Sequence, residues 1–400
     1  MGILDSIIQI TSFGGKTPMT WQNGVMILVA LGFAYLSIVR KFEPLLLLPL
    51  ACGILIANIP AAGLSAYYTY QIAIEGPNGA MVDVVRRGLM SSIYQGITWV
   101  IYPPMVFLCI GTMTDLAPLI SSPKNWIIGI GGQLGIFVAF GLALLLNNLG
   151  IPGVGFSLKE AAAIGIIGSS DGPTSIFTAT RLADHLLPSV SIAAFSYMAL
   201  VPFIQPPIMK LLTTDKERVI VMPEPKKVTK TQKIIFPIAL MIGTLLLVPT
   251  AGQLIGMLMI GNLIRESGVA DRFIDTLSTH VLNILTLLVA LSIGVSATAD
   301  RFLTPQTLTI IALGLIAFSF GTVGGVLVAK LLCWVTRGKV NPLIGNSGVS
   351  AMPMAARISQ RMGQKYNKQN HLLMHAMGPI VASTVGSALV AGIFISLFIS

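Results

Sequence analysis

Asp171 stands in the run Gly168-Ser169-Ser170-Asp171-Gly172-Pro173-Thr174-Ser175, with apolar sequence close on both sides. An ionisable residue near the bilayer centre costs about 2.5–3.5 kcal/mol on insertion scales and usually marks an ion or proton pathway. Its neighbours point the same way. Ser169, Ser170, Thr174 and Ser175 offer hydroxyl oxygens, and the break at Gly168, Gly172 and Pro173 turns main-chain carbonyls toward a cavity. A hard monovalent cation is held by such an oxygen cage, for which Asp171, Ser170 and Thr174 are the first ligands. The alternative is an external turn whose Asp only caps the next helix. A second break, Gly345-Asn346-Ser347-Gly348-Val349-Ser350, has no acid but supplies Asn346, Ser347 and Ser350 as neutral oxygens. Its alternative is close helix packing, in which small residues let backbones approach. Two breaks entering from opposite faces would meet.

Other residues carry weaker signals. Tyr197 sits one segment beyond Asp171, where a lone tyrosine is either packing with a satisfied hydroxyl or a site residue. Arg357 follows the second break. It is either a cytoplasmic-side cation or a bidentate clamp for an anionic substrate. Asn341 precedes Pro342 as a helix cap would. His375 has no second His or carboxylate at helical spacing, so it is not a metal site. Asp115, Asp300 and Glu266 fall at segment ends, and Lys330 is placed to snorkel. Walker-type phosphate loops, a GxGxxG after a strand, zinc-ligand spacing and a basic, aromatic nucleic-acid surface are all missing. Energy must then come from an ion gradient or from a reaction brought by a partner.

The elements that must hold these residues follow from composition. Of 400 residues, 54% are hydrophobic and 10% charged, with a formal net charge of +10. Soluble domains run near 45–50% and about 25%, so a polytopic membrane protein is expected. Apolar stretches fall at 22–40, 43–62, 97–118, 125–147, 159–181 and 186–209, then at 234–250, 251–267, 276–298, 306–335, 341–360 and 370–399. The basic, Pro-containing linker 210–233 separates the two sets and reads as cytoplasmic by the positive-inside rule. Segment 63–96 is partly amphipathic, with room for another short helix. Cys52, Cys109 and Cys333 lie inside apolar runs and imply no disulfide framework. The first 20 residues lack a basic n-region followed by a cleavage site, so the first span is expected to be its own address.

The two sets resemble each other. LCIGTMTDLAPLISSP at 108–123 pairs with LSIGVSATADRFLTP at 291–305, and GGQLG at 131–135 with GTVGG at 321–325. Gly168 pairs with Gly345 and Pro202 with Pro379 at one shared spacing of 177 residues. The expected fold is therefore all-α, with two repeats, 1–209 and 234–400. Each would have five crossings and one re-entrant broken hairpin at Gly168, Gly172 and Pro173 or at Gly345. Five crossings being odd, the second repeat would be inverted. Both termini would then be external.

Seven ordered blocks, YPPMVFLCIGTMTD, GGQLGIFVAFGLALLL, GIIGSSDGPTSIF, SYMALVPFIQPPIMK, GMLMIGNLIRESGV, NPLIGNSGVSAMPMAARISQ and LLMHAMGPIVAS, resemble the β subunit of the sodium-translocating, biotin-dependent decarboxylases. The likeness runs from about Tyr102 to the C-terminus. It implies a subunit of the cell membrane that takes carboxybiotin from soluble carboxyltransferase and biotin-carrier subunits, releases CO2, consumes a proton and drives Na+ outward. It further implies a small γ/δ-type membrane subunit and a trimeric assembly. Carried over by motif, the essential acid is Asp171 and the essential tyrosine Tyr197, with Asn341, Gly345, Ser350 and Arg357 in the second repeat. Asn341 and Arg357 would face carboxybiotin. Asp171, Ser170, Thr174, Asn346 and Ser350 would face Na+. Ile380 stands where the family pattern has Asn, leaving Ser383 or Ser387 as the hydroxyls to compensate. A sodium-coupled carrier of small carboxylates is the competing function.

Overall fold

The structure is a computed structural model that describes residues 19–60, 62–75, 81–150, 154–224 and 227–399. Most of the N-terminal stretch read for a signal peptide, and Pro225 and Lys226 of the linker, lie outside these residues. Helices dominate and follow the apolar runs closely. The longer ones are α1 (Trp21–Ile38), α2 (Pro44–Ala57), α3 (Leu89–Thr98), α4 (Tyr102–Met113), α5 (Lys124–Gly132), α6 (Leu134–Asn148), α7 (Leu158–Gly165), α8 (Gly172–Leu182) and α9 (Leu187–Leu212). After the linker come α10 (Lys230–Leu247), α11 (Gly252–Ser267), α12 (Leu282–Ser296), α13 (Pro305–Val335), α14 (Met354–Tyr366) and α15 (Leu373–Ile399).

Among the described residues, six helical stretches are long and apolar enough to cross a membrane, and up to eight if each bent pair is one span. Their outward faces are as apolar as their cores. Leu246 and Leu247 are 78% and 83% exposed, a burial deficit that lipid tolerates and water does not. The chain is a multi-pass membrane protein.

The 63–96 segment departs from the all-helical expectation. Besides the short helix α3, it forms an antiparallel hairpin of β1 (Thr69–Glu75) and β2 (Met81–Arg87), with Thr69 opposite Arg87 and Glu75 opposite Met81. TYQIAIE and MVDVVRR are rich in aromatic and β-branched residues, which favours strands over helix. Runs this short are easily overlooked beside spans of 20 apolar residues.

The chain forms two compact units, Met1–Tyr102 with Asn283–Thr304, and Pro103–Leu282 with Pro305–Ser400. In the first, α2 crosses α12 at two glycines. A Cβ on Gly53 would stand 2.7 Å from the Leu291 carbonyl oxygen, and one on Gly294 2.4 Å from that of Leu50. Asn58 Nδ2 seals the crossing by donating to the Ala297 carbonyl at 2.9 Å. The second unit repeats the arrangement within itself. Gly111 of α4 and Gly261 of α11 would each set a Cβ 2.1 Å from the partner's carbonyl, Leu258 and Leu108 respectively. Asn262 Nδ2 donates to the Thr114 carbonyl at 2.6 Å. Helices that lipid does not push together associate through such small-residue contacts.

The second unit holds the candidate site. α9 packs on α13, where Ser189 and Thr307 hydroxyls meet at 2.7 Å. α15 packs on α5, with the Asn125 amide 2.1 Å from where a Gly378 Cβ would be. Each last helix of a half thus lies on the fourth segment of the other half. α9 bends by 62° between its two portions. Pro202 lacks an N–H for the Met198 carbonyl and crowds it, which accounts for the bend. The core joins Ile128, Phe318, Val326, Leu343, Ile344, Val349 and Ile380.

The glycine crossings give a paired test. Gly111→Ala forces main chain apart and is expected to cost about 1–3 kcal/mol, whereas Gly141→Ala, which meets nothing within 4 Å, leaves stability equal or slightly higher. Thermal unfolding of the two variants in detergent checks this.

Candidate functional site

The first break begins where α7 tightens into a 3-10 turn, Ile166–Ser169, and ends at Ser170, whose φ of +56° is left-handed. A straight helix would hold Gly165 and Gly172 roughly 10 Å apart. Instead α7 and α8 lie in contact with each other, so the chain bends back at the break. The second break is the 3-10 segment Pro342–Gly348, capped by Asn341, followed by non-helical chain to Pro353 and then α14.

The breaks touch. The Ser350 N–H donates to the Ser169 carbonyl at 2.8 Å. Both are pressed into α5, α6 and α13 at positions where only hydrogen fits. A Cβ on Gly168 would stand 2.5 Å from the Gly135 carbonyl carbon, and one on Gly345 2.4 Å from the Gly325 oxygen. The sequence motifs GGQLG and GTVGG thus face one another, each cradling the break of its own half, and Gly168 and Gly345 are demanded by close approach rather than by backbone twist. Gly172 is held in the same way by the Phe195 ring, 2.4 Å from its would-be Cβ.

Asp171 is 5% exposed. It is the N-cap of α8, with Pro173 in the first turn, so the capping alternative describes its geometry correctly, though in a buried rather than external setting. Oδ2 accepts from Thr174 Oγ1 at 2.7 Å and Oδ1 from the Thr174 N–H at 3.4 Å. A third group comes from far along the chain. Ser387 Oγ of α15 lies 3.1 Å from Oδ2 and 2.9 Å from the Thr384 carbonyl, so one hydroxyl hydrogen has two acceptors. It can leave the carboxylate without being stranded.

One turn earlier on α15, Ser383 Oγ accepts from Gln133 Nε2 at 3.0 Å and from Ser350 Oγ at 3.2 Å. Gly386, between the two serines, makes room for the Gln133 amide. Gln133 Oε1 and Ser170 Oγ are both buried and have no hydrogen-bond partner among the described residues. Two orphaned oxygens, four further hydroxyls and one carboxylate in a buried cluster suit a dehydrated monovalent cation.

Not every expected residue joins this cluster. The Asn346 amide belongs to a separate network, donating to Gln205 Oε1 at 3.0 Å and the Ala355 carbonyl at 3.1 Å, while its oxygen accepts from the Ser347 hydroxyl at 3.2 Å and from that of Ser359. Tyr197 donates its hydroxyl to the Ile311 carbonyl, and its ring lies against Gly314, beside Ile167 of the first break. Asn341 grips the linker, its Nδ2 donating to the carbonyls of Arg218 at 3.1 Å and Ile220 at 2.8 Å while its oxygen accepts from the Leu343 N–H. Arg357 is exposed on α14. Its side chain has no ion pair or hydrogen bond among the described residues. Ile380 is fully buried in the apolar core.

The family model for the Na+-transporting oxaloacetate decarboxylase beta subunit matches residues 22–398. The chain belongs to this family. The match reaches well before Tyr102, where the ordered motifs begin. Among curated relatives, the methylmalonyl-CoA decarboxylase subunit beta of Veillonella parvula is 48% identical, covering 98% of this chain and 97% of its own. The glutaconyl-CoA decarboxylase subunit beta of Acidaminococcus fermentans is 47% identical over 98% and 97%. The oxaloacetate decarboxylase beta chain of Klebsiella pneumoniae is 44% identical over 93% and 94%.

The family's linker also contains a residue whose role only the structure reveals. Arg218 looks in sequence like one more cytoplasmic cation, yet it is 7% exposed. Its guanidinium donates to Thr213 Oγ1 at 2.8 Å, Asp215 Oδ1 at 2.5 Å, Tyr366 Oη at 2.9 Å and the Lys210 carbonyl at 2.6 Å, and lies over the Tyr366 ring. Arg218→Gln is expected to cost about 3 kcal/mol through lost charged hydrogen bonds. Faster proteolysis within 210–233, together with a lower Tm, measures it.

Proposed function

We propose that this chain is the membrane subunit of a sodium-pumping, biotin-dependent decarboxylase, with Asp171 as the group at which Na+ and H+ compete. The observation that carries the reading is a buried carboxylate at the contact of two helix breaks, ringed by hydroxyls, in a chain of this family. Ionised, Asp171 balances the charge of a bound Na+, with Thr174 and Ser387 turning lone pairs to the cation as the Ser387 hydrogen moves to the Thr384 carbonyl. Protonated, it offers no counter-charge and the cation leaves.

The driving reaction is cleavage of the N–C bond of carboxybiotin brought by biotin-carrier and carboxyltransferase partners. The electron pair stays on the ureido nitrogen, which takes up one proton as CO2 departs. Proton consumption then favours deprotonated Asp171 at the right moment. The paired glycine crossings, with their matching Asn58 and Asn262 seals, support two inverted repeats, 1–209 and 234–400, joined by a cytoplasmic linker. Tyr197 acts through the packing of the first break on α13, and Arg357, exposed after the second break, attracts the arriving carboxylated group by its charge. The relatives' substrates are a free acid and two acyl-CoA esters, so the acid handled by the complex is a property of its partners.

In proteoliposomes of the assembled enzyme, Asp171→Asn is expected to lower Na+-dependent decarboxylation and Na+ uptake by at least 100-fold. Ser387→Ala raises the half-saturating Na+ concentration roughly tenfold, the loss of about one charged hydrogen-bonding ligand. Retention of Na+-coupled turnover by Asp171→Asn would remove the exchange role.

A further inference from the structure

A cavity of about 330 Å³ lies between the 118–125 turn, linker residues 222–224, Lys339-Val340 and the start of α15. Its size falls at the lower end of small-molecule pockets, which run from about 300 to 1,000 Å³. Lys124, Lys339 and His375 line it with the Ser121 and Ser122 hydroxyls, while Met222, Met374 and Val340 supply an apolar wall. Glu224 is the carboxylate on its rim, so the two ammonium groups leave a net positive lining. Both lysines are exposed and the two serines and His375 are half-buried. Cationic rim, hydroxyls and apolar wall together match a small anion fused to a flat, apolar ring system, and match neither a metal cation nor a nucleotide.

The walls are held in place by residues already described. Asn341 follows the Lys339-Val340 wall directly and fixes the linker through the Arg218 and Ile220 carbonyls. Met222 and Glu224 continue from that anchored chain. The Arg218 guanidinium pins the same stretch to Tyr366. Asn341, whose polar groups are all taken up by main chain, can therefore influence a substrate only through the shape of its seat.

We infer that this cavity seats the carboxylated ureido ring of biotin presented by a partner subunit, with Lys124 and Lys339 contacting the carboxylate and Asn341 acting as the positioning residue for the linker wall. The inference rests on the functional reading above. It separates the seat of the ring from Asp171, so the two events are linked through protein rather than by contact.

The test uses the assembled enzyme, titrated with carboxylated biotin-carrier protein. In the Lys124→Gln, Lys339→Gln double variant, KM for the carrier rises about tenfold, more than kcat falls, and the half-saturating Na+ concentration stays put. The corresponding Arg pair restores KM, and Asn341→Ala shifts KM in the same direction. Independently, Ser122→Cys reacts with a maleimide, read by mass on the peptide carrying residue 122, and the biotinylated carrier protects it where unbiotinylated carrier does not. An unchanged KM in the double variant, or equal labelling with both carriers, overturns the seat. Loss of Na+-dependent decarboxylation from the unmodified enzyme would instead overturn the functional reading beneath it.

Discussion

A backbone surrounded by lipid has to satisfy its own polar groups, and that constraint governs everything near Asp171. Two interrupted helices can exist here only because α5, α6 and α13 enclose them, and enclosure at this distance requires glycine on both sides of each contact. The Ser350-to-Ser169 hydrogen bond then joins one interruption to the other. The carboxylate, its hydroxyl partners and the orphaned oxygens of Gln133 and Ser170 gather around that joint: a cluster of polar side chains beside main chain that could not be left facing hydrocarbon.

The charged residues outside the pocket serve a different purpose. Lys233 bridges Asp115 at 3.3 Å and Glu266 at 3.5 Å, and Lys330 reaches the Leu212 carbonyl at 2.9 Å. These pairs sit at segment ends, as the sequence suggested, where they fix helix termini. His185 and Glu160 form a similar pair at 2.7 Å beside the start of α7, whose Ser157 capping box orients that helix. Asp171 stands apart from them in forming no ion pair among the described residues.

Most helices were legible because apolar run length and Gly-Pro punctuation are local properties. The broken segments and the cap at Asn341 could be read from spacing. The β1–β2 hairpin was harder to see, its strands being seven residues each. Within the site, Asp171 and Thr174 were readable as neighbours, but Ser387 is 216 positions away and Gln133 lies at the junction of α5 and α6, so no spacing rule joins them. Asn346 and Asn341 show what residue type alone leaves out. Their types suit ligands, yet their amides are occupied by partners that only the folded chain brings near. Arg218 was hidden among the other linker cations for the same reason.

In the role proposed for Asp171, its N-cap position bears on how tightly a passenger ion would be held. The carboxylate already faces the positive end of α8 and the Thr174 N–H, which offset part of its charge before any cation arrives. A carboxylate so attended attracts an incoming ion less than a bare one would. Such moderation suits a relay, where an ion bound too firmly would stall the cycle, better than it suits a storage site.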